Sequence, residues 1–375
     1  MKKNWFRRFI KYTLVLANVI IAILFLIGCL LPWIPAKKFW VFGFIGIAMP
    51  YLVILIFLWI LFWSFVKRVF AIFNLLFLCL GYKQISVMFA WNTNDTFKKT
   101  KANYNVRIVS WNIGNMNGRT QKFGAKRHSV DEIISSLLKQ NADVICLQEY
   151  EDCKNGCKSV ELIKKKYPYY YFPGWVFGIH KHASGNVIFS KYPITKTDSS
   201  TFSNGENIIS TSIAINEDTV TLFTTHLNSY KFSRNEFNEI NEVIKEEVAP
   251  PKNLKGIINK MRKTLISHSE EAEIIAKFLD KTNHSSIFCG DLNELPNNNA
   301  YWQIRKDRQD AFLAKGSGFG KTFNSLSTIL RIDYIMPDED FEVTQFNLVD
   351  EEMSDHKMLV ADLMLKKYQA EKTKN

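Results

Sequence analysis

No acidic residue occurs before Asp95, so all 36 acids of the chain lie beyond its first 94 residues. Within that opening stretch, residues 12–36 and residues 39–66 carry no charge and are rich in Leu, Ile, Val and Phe. A lipid hydrocarbon core needs about 20 apolar residues as helix, so each run is long enough to cross one. A third apolar stretch, 69–81, is too short alone. Joined to 85–91 it is long enough, with Lys83 near one end, where a lysine can snorkel to the interface. The pattern predicts about three transmembrane helices, near 12–32, 40–64 and 69–90. A cleaved signal peptide fits poorly: the first run is long for one, lacks a small-x-small cleavage site and precedes a second full span.

Charge follows the same division. Ten of the 48 basic residues precede residue 92, which leaves 38 bases against the 36 acids in the remainder. Ten of the twelve formal positive charges therefore belong to the membrane part, and they give no support to a DNA-binding reading. Lys2, Lys3, Arg7, Arg8 and Lys11 ahead of the first span place the N-terminus in the cytoplasm. Three spans put residues 92–375 outside the cytoplasm, and two would keep them inside. Trp5, Trp33, Trp40, Trp63 and Trp91 sit near proposed span ends, where interfacial anchors belong. Six cysteines in 375 residues exclude a disulfide scaffold. Cys153 and Cys157 pair or stay as free thiols according to the compartment they face.

Residues 92–105 are polar and read as a linker, and 366–375 as a polar tail. Between them strands and helices alternate. Strands are expected at 106–111, 143–147, 186–189, 208–215, 219–225, 286–289, 332–335 and 358–363. Helices are expected at 130–140, 236–247 and 269–279. Many neighbouring strands are joined by short turns, which suits an α/β (α+β) arrangement of stacked sheets flanked by helices.

Several of these strands end in residues that bind hard cations or move protons. The first ends at Asn112, the second at Gln148 and Glu149, and the sixth at Asp291, Leu292 and Asn293. The strand at 219–225 ends at His226. Ile332 leads into Asp333, and Ser354, Asp355 and His356 precede the last strand. Singly, such residues are ordinary turn or surface groups; it is the set that points to a site. His180, Lys181 and His182 have no nearby cysteine at zinc spacing and read as a loop. The segment 230–263 holds Lys231, Arg234, Lys252, Lys255, Lys260, Arg262 and Lys263, and reads as a solvated helical face, a substrate lid or a membrane-facing surface.

In order, these motifs resemble the endonuclease/exonuclease/phosphatase superfamily. The matching pieces are Ser110, Trp111 and Asn112; Leu147, Gln148 and Glu149; Gly185 and Asn186 through Ser190, Lys191, Tyr192 and Pro193; Thr225, His226 and Leu227; Gly290 through Asn293; Arg331 through Ile335; and Ser354, Asp355 and His356. The resemblance covers 106–365 and leaves 1–105 unclaimed. It implies a four-layer α/β sandwich, two packed sheets with helices outside. It also implies a phosphoesterase that uses Mg2+ or Mn2+, with Glu149, Asn112 and Asp355 associated with the metal. By the same resemblance His356 is the general base, Asp333 its partner, and Asp291 the handler of the water or leaving-group proton. Asn293 and His226 are then placed at the scissile phosphate, with Asn186 on the substrate. Hard oxygen ligands suit Mg2+, and a neutral imidazole suits a base near neutral pH.

The expected partners are a lipid bilayer and a phosphate ester: lipid, sugar phosphate or nucleic acid. No obligate protein partner is evident in the sequence. The near-neutral soluble part argues against duplex DNA. The rival class is a binding module that kept the fold and lost catalysis; such a module is expected to lose at least one of Glu149, Asp291, Asn293, Asp333, Asp355 and His356, and all are present.

Overall fold

The structure, a computed structural model, describes residues 2–93, 96–116, 118, 127–151, 158–177, 182–215, 217–244, 250–324 and 329–369. Cys153, Cys157, His180 and Lys181 lie outside the described residues.

The uncharged runs fold as helices because nothing in them competes with the backbone ladder. α1 (Lys2–Leu30) and α3 (Gly43–Val66) flank a turn that contains the short α2 (Ala36–Phe39). By length and composition, Trp5–Trp33 and Ala36–Val66 are sufficient to cross a bilayer. The third expected span is not one helix. α4 (Arg68–Leu80) stops at Gly81 and α5 (Tyr82–Ile85) follows. Thirteen residues cover only about 20 Å, short of a core about 30 Å thick. Gly81 is required where it sits, since a Cβ there would collide with the Phe25 ring.

Side-chain pairings give the direction of each helix. Asn18 of α1 accepts hydrogen bonds from Trp63 Nε1 of α3 (3.3 Å) and Asn74 Nδ2 of α4 (3.0 Å). Toward the other end, Phe25, Met49, Leu52 and Met88 share one buried cluster. α1 and α4 therefore run the same way and α3 runs against them. Trp63 is buried inside this bundle rather than anchored at an edge, as the sequence had implied, because its indole N–H has a partner there.

The remainder is built from period-two strands. In chain order they are β1 (Ala90–Trp91), β2 (Asn105–Asn112), β3 (Val144–Glu151), β4 (Tyr169–Tyr171), β5 (Trp175–Phe177), β6 (His182–Ser190), β7 (Ile194–Thr201), β8 (Asn207–Ile215), β9 (Asp218–His226), β10 (Ser286–Asp291), β11 (Ser317–Gly318), β12 (Asp333–Pro337), β13 (Phe341–Val349) and β14 (Met358–Leu365). Helices α6 (Val130–Lys139), α7 (Lys158–Lys166), α8 (Arg234–Ile244), α9 (Leu254–Leu279), α10 (Asn299–Arg305) and α11 (Ala311–Lys315) complete the chain. The seven-stranded sheet runs β13-β14-β2-β3-β6-β4, with β5 also on β6; the five-stranded sheet runs β12-β10-β9-β8-β7.

Alternate residues of each strand feed different layers. Val106 and Ile108 of β2 meet Leu222, Ile287 and Ile335 between the sheets. Val109 and Trp111 of the same strand pack outward with Ile133 and Leu137 of α6. Phe288 of β10 packs outward with Ala272, Ile275 and Tyr301 from α9 and α10. The result is the expected four-layer sandwich. α9 begins at Leu254, well before the expected 269, with Asn253 capping Gly256 N. β7 is an edge strand whose polar, exposed residues carry no hydrophobic alternation.

Bundle and sandwich are continuous. β1 pairs with β11, Val87 lies in the outer core beneath α9, and Val87 O accepts from Arg331 Nη2 (2.6 Å). Asn92 Nδ2 donates to Leu313 O (3.0 Å) and Gly316 O (2.9 Å). Arg331 is 1% exposed and pairs with Asp310. Removing one member of such a pair costs about 3–5 kcal/mol.

Candidate active site

The same alternation that builds the inter-sheet core builds the site at its open end. β2 sends Ile108, Ser110 and Asn112 to the inner face; β9 sends Leu222, Thr224 and His226; β10 sends Ile287, Cys289 and Asp291; β12 sends Ile335 and Asp333; β6 sends Ile188 and Asn186. Where apolar residues give way to polar ones, the sheets present their chemistry. β2 is parallel to β3 and β9 to β10, so those ends share one side. Beneath them Gln148 Nε2 donates to Thr224 Oγ1 (2.8 Å), joining the two sheets.

Glu149 breaks the alternation. Its φ is +50° and the β3–β6 register shifts between Leu147 and Tyr150. The bulge turns a side chain that would point outward toward Asn112 Nδ2 (3.2 Å) and Asn115 Nδ2 (3.1 Å), both of which donate to it. Asn293, with φ +46°, is likewise left-handed, a conformation Asn tolerates better than most residues.

His356 and Asp333 form one corner. His356 Nδ1–H donates to both oxygens of Asp333, at 3.1 and 3.0 Å. The side chains are 7% and 2% exposed. His356 O accepts from Trp111 Nε1 (3.0 Å) and His356 N donates to Ser354 Oγ (3.2 Å), which fixes the backbone. The opposite ring nitrogen, Nε2, lies 3.7 Å from Asp291 Oδ2. Burial disfavours the imidazolium, but Asp333 and then Asp291 outweigh it, holding His356 well above the ordinary histidine value.

The other corner centres on His226. Its Nε2 is 3.1 Å from Asn293 Nδ2, 3.5 Å from Glu149 Oε1 and 3.7 Å from Asp291 Oδ2. Its Nδ1 is 3.9 Å from Glu206 Oε1. Burial lowers its affinity for a proton, yet Glu149, Asp291 and Glu206 raise it overall. Asp291 is fully buried between the two imidazoles. It accepts from Asn112 Nδ2 (2.9 Å) and Asn293 N (2.8 Å). Burial and the Asp333 charge push its carboxyl above the ordinary range, against the pull of both histidines.

Asp291, Asp333 and His356 each offer an atom within 4.8 Å of the others. Glu149, Asp291 and Asp333 have no Lys or Arg ion-pair partner among the described residues. Carboxylates converging from three strands, with histidines as their only cationic neighbours among the described residues, fit a hard divalent cation. Of the residues expected at the metal, Glu149 and Asn112 are brought together, with Asn112 offering the carboxylates its nitrogen while its Oδ1 accepts from Gly114 N (3.0 Å). Asp355 sits beside Ser354 (3.4 Å) on the other side of Gly114. Asn186 is 1% exposed, and its Nδ2 donates to the backbone oxygen (2.9 Å) and side-chain oxygen (3.0 Å) of Asn207. Its buried Oδ1 has no hydrogen-bond partner among the described residues.

Next to this group lies a cleft of about 330 Å³ lined by Asn115, Glu149, Ser184, Asn204, Glu206 and His226. Asn115, Asn207 and Glu206 were not expected at the site. Asn115 stands three residues beyond Asn112, but no periodicity marks it; Asn204 to Asn207 read as turn chemistry.

Residues 109–356 match the sequence model of the Endonuclease/Exonuclease/phosphatase family, and residues 9–88 match a domain of unknown function (DUF8431). No curated protein matches the chain. Among solved structures it is similar to an endonuclease/exonuclease/phosphatase from Beutenbergia cavernae, with 18% identity, 70% of this chain and 72% of that one covered, and a TM-score of 0.51. The human Nocturnin catalytic domain follows at 16% identity, 71% and 97% coverage and 0.49. The mannosyl-6-phosphatase Bt3783 of Bacteroides thetaiotaomicron has 14% identity, 69% and 100% coverage and 0.47. With two-thirds of its length under the family model, and with the four-layer sandwich that model implies, the chain belongs to the endonuclease/exonuclease/phosphatase family.

Proposed function

We propose that the chain is a membrane-anchored, divalent-metal-dependent phosphoesterase that cleaves a phosphodiester or phosphomonoester by attack of water. The observation that carries this reading is the pairing of His356 with Asp333 directly against Asp291, beside the carboxylate of Glu149, which has no Lys or Arg partner among the described residues. Glu149, with Asn112 and Asp355 nearby, would hold Mg2+ or Mn2+. Bound there, the cation neutralises phosphoryl oxygens and stabilises the charge of the transition state.

Asp333 holds the His356 proton on Nδ1, so Nε2 is the atom free to accept a proton. Asp291 stands between His356 and His226 and orients the attacking water. Asn293 and His226 face the scissile phosphate, and His226 is placed to protonate the leaving group. Asn186, through Asn207, shapes the substrate wall.

The bundle supports anchoring and orientation. Asn299 Nδ2 donates to Pro32 O (2.7 Å), which puts the C-terminal end of α1 at the sandwich. The N-terminus is then at the far end of a 29-residue helix, about 43 Å away. With Lys2, Lys3, Arg7 and Arg8 in the cytoplasm, the catalytic domain is extracytoplasmic, and α4 with α5, parallel to α1, would bring the chain back to that side. A substrate at the bilayer surface follows from the anchoring and from the near-neutral charge of residues 92–375.

The test is the full chain in lipid nanodiscs with Mg2+, offered an aryl phosphodiester, an aryl phosphomonoester, sphingomyelin-like lipids, inositol phosphates and DNA. Hydrolysis of at least one, lost with EDTA and in His356→Ala, is expected. Hydrolysis equal to that of His356→Ala on every substrate would leave a binding module.

A further inference from the structure

The segment that follows the catalytic Asp291 and Asn293 reads Glu294, Leu295, Pro296, Asn297, Asn298, Asn299. Each of the three asparagines meets a different piece of the apolar bundle. Asn297 Nδ2 donates to Gln84 O (3.2 Å) and Gln84 Oε1 (3.3 Å), just after α4. Asn298 presses its side-chain oxygen onto α3 at Gly46, where a Cβ would collide with it. Asn299 holds Pro32 O after α1. All three are under 8% exposed, a burial that asparagine seldom reaches without a specific partner.

From this clamp a chain of buried polar contacts leads to the second histidine corner. Asn298 Nδ2 donates to Glu294 Oε1. Glu294 Oε2 accepts from His268 Nδ1 (2.9 Å), and His268 Nε2 donates to Asn228 O (2.7 Å). Both nitrogens of His268 thus face acceptors. One helical turn on, Glu271 accepts from Asn228 N (3.1 Å) and from Asn204 Nδ2 (3.0 Å). α9 therefore grips both sides of the turn after His226 and the loop that carries Glu206. The same helix is seated on the bundle through Lys37–Glu270 (3.2 Å) and through Leu265 against Gly43.

We infer that the bundle positions the catalytic groups: Asn297, Asn298 and Asn299 fix the loop bearing Asp291 and Asn293, and Glu294 with His268 carries that constraint to His226. These five are positioning residues, since none faces the cleft. The inference rests on the phosphoesterase reading for its kinetic arm only.

The experiment uses the full chain in nanodiscs and a double-mutant cycle between Gly46→Ala and Asn298→Ala, read by steady-state kinetics on an aryl phosphodiester and by amide exchange. A misplacement of about 1 Å can cost up to roughly 100-fold in rate. Each single change is expected to lower kcat about tenfold with KM within about twofold. The double is expected to be no worse than the poorer single, because both act through one contact. Exchange should quicken at 226–230 and 290–296 and stay unchanged in β13 and β14. Unchanged kcat in both singles, losses that multiply, or exchange that quickens equally across the sandwich would overturn the inference. If the unsubstituted chain hydrolyses no phosphate ester, the proposed activity fails, and the exchange pattern alone decides the coupling.

Discussion

His356 and His226 stand on either side of Asp291, each 3.7 Å from the same carboxylate oxygen. Their other nitrogens differ. His356 is bonded to both oxygens of Asp333, which is 2% exposed. His226 has Glu206 at 3.9 Å, beyond hydrogen-bond reach, with that side chain 36% exposed. A bonded, buried carboxylate fixes tautomer and ring orientation; a distant, half-exposed one only biases charge. The His356 ring is fixed in tautomer and orientation before substrate arrives; the His226 ring, though α9 holds its turn, has no hydrogen-bonded carboxylate on Nδ1 to fix it.

The largest effects should therefore come from the rigid corner. His356→Ala is expected to lower kcat/KM roughly 10^3-fold, and Asp333→Asn roughly 10^2- to 10^3-fold, less than the 10^4 of a serine-protease triad because the proposed cation would supply part of the stabilisation. The double should fall little below His356→Ala alone. Rates measured for all three decide it: if the two losses multiply, the pair is not a unit and Asp291 becomes the base.

Glu149→Gln should raise the Mg2+ midpoint at least roughly tenfold while Tm stays close to that of the parent chain. An unchanged midpoint would remove Glu149 from the metal site.

At the looser corner, His226→Ala should cost roughly 10^2-fold, but Glu206→Gln less than about tenfold, because no hydrogen bond of known geometry is lost. A Glu206→Gln loss as large as that of Asp333→Asn would show that the two corners are equivalent in the working enzyme.

The smallest effect is a displacement along the pH axis. In the metal-free chain Asp333 and Asp291 raise the His356 value; with a cation bound, Asp333 still favours the imidazolium, so His356 should set the acid limb of kcat/KM. Asp333→Asn should move it to lower pH. For the metal-free chain the stability sign is opposite to the acid-denaturation habit. A raised folded value means that the His356 contribution is complete below the ordinary histidine value and is lost as pH rises through the folded one. Thermal scans in EDTA at several pH values should show this decline, and Asp333→Asn should reduce it, leaving the part that Asp291 and the raised His226 supply. A limb that does not move would mean that His356 is not the titrating base.

Most of this site was legible because strand alternation is a local signal. Asn112, His226, Asp291 and Asp333 each continue an inner-face register that the apolar residues before or after them declare. Glu149 was legible as a strand-end carboxylate and by resemblance, but the direction of its side chain was not, since its bulge reverses the parity that its strand would assign. Glu206 and Asn207 were invisible, because a turn of polar residues looks the same whether it faces water or a histidine. α9 was read short: Lys255, Gly256 and Lys260 obscure its apolar face, and the tertiary contacts of Ile257, Leu265 and His268 override that weak local pattern. The third apolar stretch was read long for the converse reason, as hydropathy alone does not register the break at Gly81.

One consequence concerns reach. A catalytic domain on a flexible tether sweeps a volume set by the length of that tether. Here the chain leaves α4 and commits itself at once: Gln84 to Asn297, Val87 to Arg331, Ala90 and Trp91 to β11. No slack remains, so the cleft is held at one height and one tilt above whatever surface receives the bundle. If that surface is a bilayer and the substrate a membrane phosphate ester, as proposed, searching is left to the substrate, whose phosphate must arrive at the right elevation. Under that reading, bilayer thickness and curvature would become variables of the reaction, because they would decide which headgroups stand where the cleft already is.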